Sequence, residues 1–455
     1  MSVVRLPDDS APFAARRKRL AEHLEGRRAW IPAGAPVSRN YPAAQYPYRA
    51  SSHFLYLTGA AVPGGSLLLD GDRATLFVQP PADDDALWHG ETPGLEAMAA
   101  ATGLRVRPTK ELDLSSDVLT VSAPDRASRE GQVARLGREP GGDEDAPLLD
   151  AMVELRAVHD AHAIVGLREA AAATVTAHRA GMAATHPGAT EHAIKTAMVA
   201  ALGARGMATA YRPIVSVAGE VLHNETYDNT AAAGDLLLAD VGAESPGGWA
   251  GDVTRTWPVS GSFSELQARI YGIVLESQRR AIAMCTAGTR YRDIHLEAGL
   301  ALAEGLVELG LMKGDPRAIV EADAHALFFP HGVGHLIGLD VHDMEDLGDR
   351  AGYAPGRERS ERFGLGYLRL DRDLEAGMAV TIEPGFYTVP AILDGERFRE
   401  LRERFVDETM LATVRDAVRG IRIEDDVLIT EGVPDVMSAE APKTIAEVEA
   451  AVGAA

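Results

Sequence analysis

Asp240, Asp252, His335, Glu383 and Glu424 stand out for the chemistry their side chains could do. Asp240 closes the aliphatic run Leu236-Leu237-Leu238-Ala239, Glu383 follows Val380-Thr381-Ile382, and Glu424 follows Ile421-Arg422-Ile423. A carboxylate set in aliphatic strand sequence is costly unless something neutralises it. Asp252 follows the connection Ser245-Pro246-Gly247-Gly248, so a hairpin would return it beside Asp240. Two adjacent carboxylates call for a cation. His335 lies in the run from His331 to His342, which holds three histidines in twelve residues among glycines and aliphatics. Singly, each residue has an ordinary explanation: a salt bridge or turn cap for Asp240, a structural role for a lone histidine. Together they are four carboxylates and an imidazole, a mostly hard-oxygen donor set that suits Mn2+ and also admits Co2+ or Zn2+.

The elements that must position these residues are legible in outline. Leu236 to Val241, Asp252 to Val259, Met378 to Tyr387 and Ile421 to Ile429 read as strands, each containing or abutting an acid. An Ala-rich helix from Leu148 to Ala184 and a second through Ile194, Met198 and Leu202 precede the first strand pair. Ser264 and Gln267 form a capping box that starts another helix, and a further one through Ile294, Leu302 and Leu306 ends at Gly310. Helix pair, strands, helix pair, strands is an order that hints at an internal duplication. Before it, a helix beginning near Pro12 and strand-like runs Phe54 to Leu57, Ser66 to Leu69 and Ala74 to Val78 indicate a smaller mixed α/β domain. The breaker-rich stretch Arg138 to Ala146 places the boundary, giving domains 1–146 and 147–455.

Size and composition set limits. A chain of 455 residues, 46% hydrophobic and 25% charged, is a globular protein with room for two cores. A formal net charge of −22 repels phosphate backbones and anionic lipid, so neither nucleic acid nor a membrane is an expected partner. Cys285 is the sole cysteine, which excludes an internal disulfide and a thiolate metal cage and fits a reducing, cytoplasmic setting. The opening residues lack the apolar core of a secretory signal, which points the same way.

The five segments together resemble the pita-bread metallopeptidases, and in particular the proline-specific branch that contains aminopeptidase P and prolidase. In that family the metal ligands run Asp, Asp, His, Glu, Glu, an order matched by Asp240, Asp252, His335, Glu383 and Glu424. The interval between the two aspartates is one residue longer than usual, which implies a longer hairpin tip at Ser245-Pro246-Gly247 with both acids still in register. A weaker likeness covers Tyr46 to Gly59 and Leu87-Trp88-His89-Gly90, and these runs favour aminopeptidase P. The resemblance implies an α/β (α+β) architecture: an N-terminal mixed α/β domain, then a catalytic domain with two pseudo-twofold halves of helix pair and antiparallel sheet.

It also implies a function: release of the N-terminal residue from short peptides with proline in second position, by water activated between two divalent metal ions. Prolidase, which takes Xaa-Pro dipeptides, is the alternative; a non-catalytic binding protein or a creatinase-like hydrolase is a more distant one. In this scheme Asp252 and Glu424 bridge the ions, Asp240 completes one, and His335 with Glu383 completes the other. Glu383 manages the proton of the water, and His342 polarises the scissile carbonyl. His223 and His331 match histidines that line the proline pocket, although each alone is as well explained structurally. Arg422 is placed to orient Asp240 or meet substrate. Tyr387, Arg49 and Trp88 are further substrate-side candidates, Tyr387 being equally a packing residue. A homodimer or homotetramer is expected. The Arg- and Gly-rich segment from Leu347 to Asp373 reads as a solvated loop without a catalytic role.

Overall fold

In the computed structural model, which describes residues 4–81 and 85–453, the chain forms two units, Met1–Arg156 and Ala157–Ala455. The first is built on a mixed sheet of β1 (Ala29–Pro32), β2 (Ser66–Asp70), β3 (Arg73–Val78), β4 (Arg105–Pro108) and β5 (Leu119–Thr120), in the order β4-β3-β2-β1-β5. The inner pairs are antiparallel, and the outer strands β4 and β5 join in parallel. Trp30, Leu68, Phe77, Val118 and Leu136 form one buried cluster of this unit.

Phe54 to Leu57, expected as a strand, lies within a helix, Ser52–Thr58. The Ser51 side chain accepts from Phe54 N, Gly59 N closes onto Leu55 O, and every residue between is buried. Uniform burial removes the periodicity that separates helix from strand. Arg16 and Arg17, from the helix Ala11–Leu24, donate to the terminal carbonyls of Tyr56 and Leu57. The helix Ala146–Ala157 also belongs largely here: Tyr56 Oη donates to Leu155 O at 2.7 Å, and Arg156 Nη1 lies 2.9 Å from His53 Nδ1. The first unit therefore runs on to Arg156, past the boundary read at residue 146.

The second unit opens with the helices Ala161–Ala183 and Glu191–Gly203. The single helix expected from Leu148 is interrupted before Asp160, whose side chain caps the second piece by accepting from Ala163 N. Strands follow: β6 (Ala208–Thr209), β7 (Ile214–Ser216), β8 (Leu236–Asp240), β9 (Ala243–Glu244) and β10 (Thr254–Pro258). β7, β8 and β10 form an antiparallel sheet with β8 at its centre. The second helix pair, Glu265–Ala283 and Tyr291–Leu309, carries the Ser264/Gln267 capping box and ends at Gly310 as expected. Then come β11 (Ala379–Ile382), β12 (Gly385–Tyr387), β13 (Gly420–Arg422), β14 (Asp425–Leu428) and β15 (Asp435–Val436). The doubled order of helices and antiparallel strands gives the two halves of a pita-bread domain. Among the described residues no helix is long and apolar enough to cross a membrane.

Candidate metal centre

Two strands expected to be continuous are broken, and the breaks face each other. β11 pairs with β14 and β12 with β13, with Ile382 opposite Asp425 and Gly385 opposite Arg422. The pairs Glu383-Pro384 and Ile423-Glu424 fall in the gap between. Pro384 has no N–H to give to the ladder, so the pairing must lapse there. The freed amides find other partners: Glu383 N donates to Val333 O at 2.8 Å and Glu424 N to Thr254 O at 3.0 Å. The kink thus turns two carboxylates out of the sheet and ties each to a segment that carries another candidate residue.

His335 arrives on the first of those segments. Residues 333–337 run beside β11, with Thr381 N donating to His335 O at 3.0 Å and His335 N to Thr381 Oγ1 at 3.1 Å. Only glycine permits this approach, since a Cβ on Gly334 would sit 2.1 Å from Thr381 O. Asp240 and Asp252 come from the β8–β10 hairpin, where Thr254 is opposite Asp240. The tip at Ser245-Pro246-Gly247-Gly248 is closed by Ser245 N donating to Trp249 O at 2.8 Å.

These five residues line one cavity of about 440 Å³ in the second unit. Ligand atoms of Asp252, His335 and Glu424 all lie within 4.8 Å of one another. His335 Nε2 is 3.4 Å from Asp252 Oδ2 and 3.8 Å from Glu383 Oε1. Burial first, and then the neighbouring carboxylates, push the Asp252, Glu383 and Glu424 carboxyls well above the ordinary range. Glu424 Oε1 is buried without a hydrogen-bond partner. An orphaned, inward-facing oxygen among acids that cannot all ionise unaided fits divalent cations, which would reverse each of those shifts.

Tyr211, not singled out from the sequence, sits between the two aspartates, its hydroxyl 2.5 Å from an oxygen of each. One phenolic proton cannot serve both acids. Tyr211 alone therefore does not neutralise the pair, which a cation between the two acids would do. Gly242 makes room for the ring, because a Cβ there would come within 2.7 Å of Tyr211 Cε1.

Arg422 is buried and holds Asp240 Oδ2 at 2.6 Å through Nη2, while Nε donates to Thr254 Oγ1 at 2.9 Å. Thr254 in turn donates to Glu424 Oε2 at 2.6 Å. Arg422 Nη1 donates to Tyr387 Oη at 3.0 Å, and Tyr387 Oη lies 2.8 Å from His331 Nε2. Burial and the Arg422 charge lower His331 to about 3, so its ring is neutral. Its Nδ1–H donates to Gly332 O, leaving Nε2 to accept from Tyr387. His223, on the loop after β7, and His342 also line the cavity, with an apolar wall of Leu222, Pro330, Val389 and Ile392. Arg359, Tyr367 and Arg369 line it too, so the segment expected to be a solvated loop forms part of the wall. Arg49 and Trp88 belong to the first unit. There, Arg49 Nη1 donates to Ser52 Oγ at 2.9 Å, and Trp88 is exposed on the short helix Asp85–His89.

Comparison with known proteins places this arrangement. Residues 165–431 match the model of metallopeptidase family M24, and residues 13–122 match the aminopeptidase P N-terminal domain. The chain belongs to metallopeptidase family M24. It is similar to Xaa-Pro aminopeptidase 2 of Streptomyces coelicolor, 32% identical over 98% of this chain and 91% of that one. A probable Xaa-Pro aminopeptidase of Aspergillus niger is also 32% identical, over 96% and 97% of the two chains. Among solved structures, aminopeptidase P from Escherichia coli with the inhibitor Pro-Leu superposes with a TM-score of 0.80, at 30% identity over 98% of each chain. Pseudomonas aeruginosa aminopeptidase PepP matches with the same TM-score at 28% identity, over 99% of each chain. This M24 member is a metallo-aminopeptidase of the aminopeptidase P type, a hydrolase whose family chemistry requires divalent metal.

Proposed function

We propose that this M24 enzyme removes the first residue from short peptides whose second residue is proline. The observation that carries the reading is the set of four acids and His335 converging on the floor of one cavity with an apolar side wall. Asp240, Asp252, His335, Glu383 and Glu424 would hold two divalent ions. When bound, such a pair lowers the pKa of water toward about 7 and draws charge from a carbonyl oxygen.

The chain's own groups supply the rest. Glu383, turned out of its strand at the kink, takes the proton from the attacking water and returns it to the departing proline nitrogen. His342 faces the carbonyl and stabilises the charge that develops on its oxygen. Arg422 fixes Asp240 directly and Glu424 through Thr254. Leu222, Val389 and Ile392 offer apolar surface to the pyrrolidine ring, with His223 and the neutral His331 at its edge. Proline has no N–H and a fixed φ, so recognition by shape suits it better than a backbone ladder does. Trp88 and Arg49 are assigned to substrate contacts.

The donor set favours Mn2+, with Co2+ and Zn2+ as alternatives. A reducing cytoplasm, a homodimeric or homotetrameric state, and peptides as the ligands to the exclusion of nucleic acid and membranes complete the proposal. The names of the similar proteins support the aminopeptidase reading. Parallel assays of Xaa-Pro and Xaa-Pro-Yaa peptides test it. Release of Xaa from the tripeptides is expected, and turnover confined to dipeptides would identify a prolidase instead.

A further inference from the structure

Leu222 and His223 reach the cavity wall from the long connection between β7 and β8. Leu222 leans on the cluster of Ile214, Leu238 and Tyr387, but no residue from 221 to 230 is buried, so packing alone leaves this stretch loosely held. Its order comes from polar ties, and they converge on a side chain that does not line the cavity. Glu191, fully buried at the start of the helix Glu191–Gly203, accepts through Oε1 from Val217 N at 2.8 Å and Asn229 Nδ2 at 3.0 Å. Its Oε2 accepts from Asn229 N at 3.1 Å. One carboxylate thus joins both ends of the loop. The far end has backbone ties as well, Glu191 N donating to Asn229 O at 3.0 Å and Ala231 N to Ala189 O at 2.8 Å. At the near end the amide of Val217 goes to the carboxylate. Within the loop, Asn224 Nδ2 donates to Ser216 Oγ at 2.8 Å and Arg419 Nε to Glu220 Oε1 at 2.9 Å, which bounds the turn carrying Leu222 and His223 on both sides.

We propose that Glu191 is a positioning residue for proline recognition: it staples the loop at Val217 and Asn229 and so holds Leu222 and His223 where the pyrrolidine ring docks. The inference rests on the reading of these two side chains as part of the proline pocket. A carboxylate offers acceptors, and its three partners are all N–H donors, so both oxygens are matched. An acid in the first helical turn is also favoured by the partial positive charge of that terminus, which steadies a buried carboxylate whose donors are uncharged. Binding that uses a preformed wall is weakened in proportion to the molecules in which the wall is out of place. Loosening the staple should therefore appear in KM. Asp252, His335, Glu383 and Glu424 stand on other segments, so kcat and metal content should hold.

Glu191→Met keeps the length of the side chain and removes both oxygens. In manganese-loaded protein, hydrogen exchange of the amides from 217 to 229 should then quicken about 10-fold or more while the strands of the site stay protected. On an Xaa-Pro-Yaa peptide, KM should rise about 5–50-fold with kcat and metal content little changed. A role confined to stability would lower the melting temperature and leave KM alone; that result overturns the proposal, as does parent-like exchange in the loop. Glu191→Gln keeps the oxygen that spans Val217 and Asn229 Nδ2 and should hold KM within about three-fold of the parent. A Gln variant as weak as the Met variant contradicts the proposal. Asn229→Ala removes one of the three donors and serves where Glu191→Met folds poorly; loop exchange should quicken in it too, and unchanged exchange refutes the staple. Placed on the double variant Leu222→Ala, His223→Ala, the Glu191→Met change should raise KM by a factor at least about three-fold smaller than on the parent. The same factor in both backgrounds contradicts the proposal. Parent-like KM in that double variant would instead remove the pocket reading, and loop exchange would still report whether Glu191 holds the loop.

Discussion

Replacing Tyr211 by phenylalanine removes one oxygen atom and tests whether the acids of the centre are oriented from behind. The hydroxyl is 2.5 Å from both Asp240 and Asp252, and the ring is seated against Gly242, so the substitution leaves packing in place and deletes only the contacts to the two carboxylates. A hydrogen bond to a charged group contributes about 1.5–3 kcal/mol. Deleting a group that orients metal ligands weakens metal binding about 10–100-fold. That factor corresponds to about 1.4–2.8 kcal/mol. The two ranges coincide, as they should if the phenol acts chiefly by holding the acids for the ions. Tyr211→Phe should therefore need about 10–100 times more free metal for half-maximal activity, and recover most of kcat at saturation. Calorimetric titration of stripped protein with Mn2+, alongside activity at buffered metal concentrations, measures both. Parent-like metal affinity would refute the reasoning, as would a kcat loss that metal does not rescue in a variant with unchanged circular dichroism.

Asp252→Asn leaves a neutral amide where a buried carboxylate is to bind metal, so metal content should fall below two per chain and activity should vanish with it, as checked by elemental analysis and peptide hydrolysis. Gly334→Ala drives a methyl to 2.1 Å from Thr381 O. The His335 segment must then separate from β11, and both thermal stability and metal content should drop. His325 is buried among His295 and Gly364, with neither ring nitrogen hydrogen-bonded, and burial lowers it to about 3. The unfolded chain takes a proton near its ordinary value of about 6.5 that the folded chain refuses, so this contribution falls as pH drops below that value. At pH 5 the loss is on the order of 2 kcal/mol. Urea unfolding at pH 7.5 and 5 should show the parent losing that much more than His325→Asn, and identical pH dependence would contradict it.

The four acids and the histidine of the site are legible in the sequence because each is expensive where it stands: Asp240, Glu383 and Glu424 in aliphatic strands, His335 among glycines. What the sequence conceals is their support. Tyr211, in Tyr211-Arg212-Pro213, has no pattern of its own, and its only local trace is Gly242, which would as readily mark a turn. Pro384 does signal the broken strand, since it cannot donate to a ladder, but the opposing break at Ile423-Glu424 exists only through pairing. The helix Ser52–Thr58 reads as a strand because it is buried on every side, although Ser51 and Gly59 are its caps. Arg359, Tyr367 and Arg369 reach the cavity through long-range tethers such as Arg362 to Asp323 and His295 to Gly364, which no local window reveals.

The claim on which the rest depends is that the five residues hold two ions needed for cleavage. Elemental analysis of the purified protein, paired with hydrolysis of an Xaa-Pro-Yaa peptide before chelation, after chelation and after Mn2+ is restored, tests it most directly. Two divalent ions per chain, loss of turnover on stripping and its return on reconstitution are expected. Full turnover by metal-free protein would contradict the account.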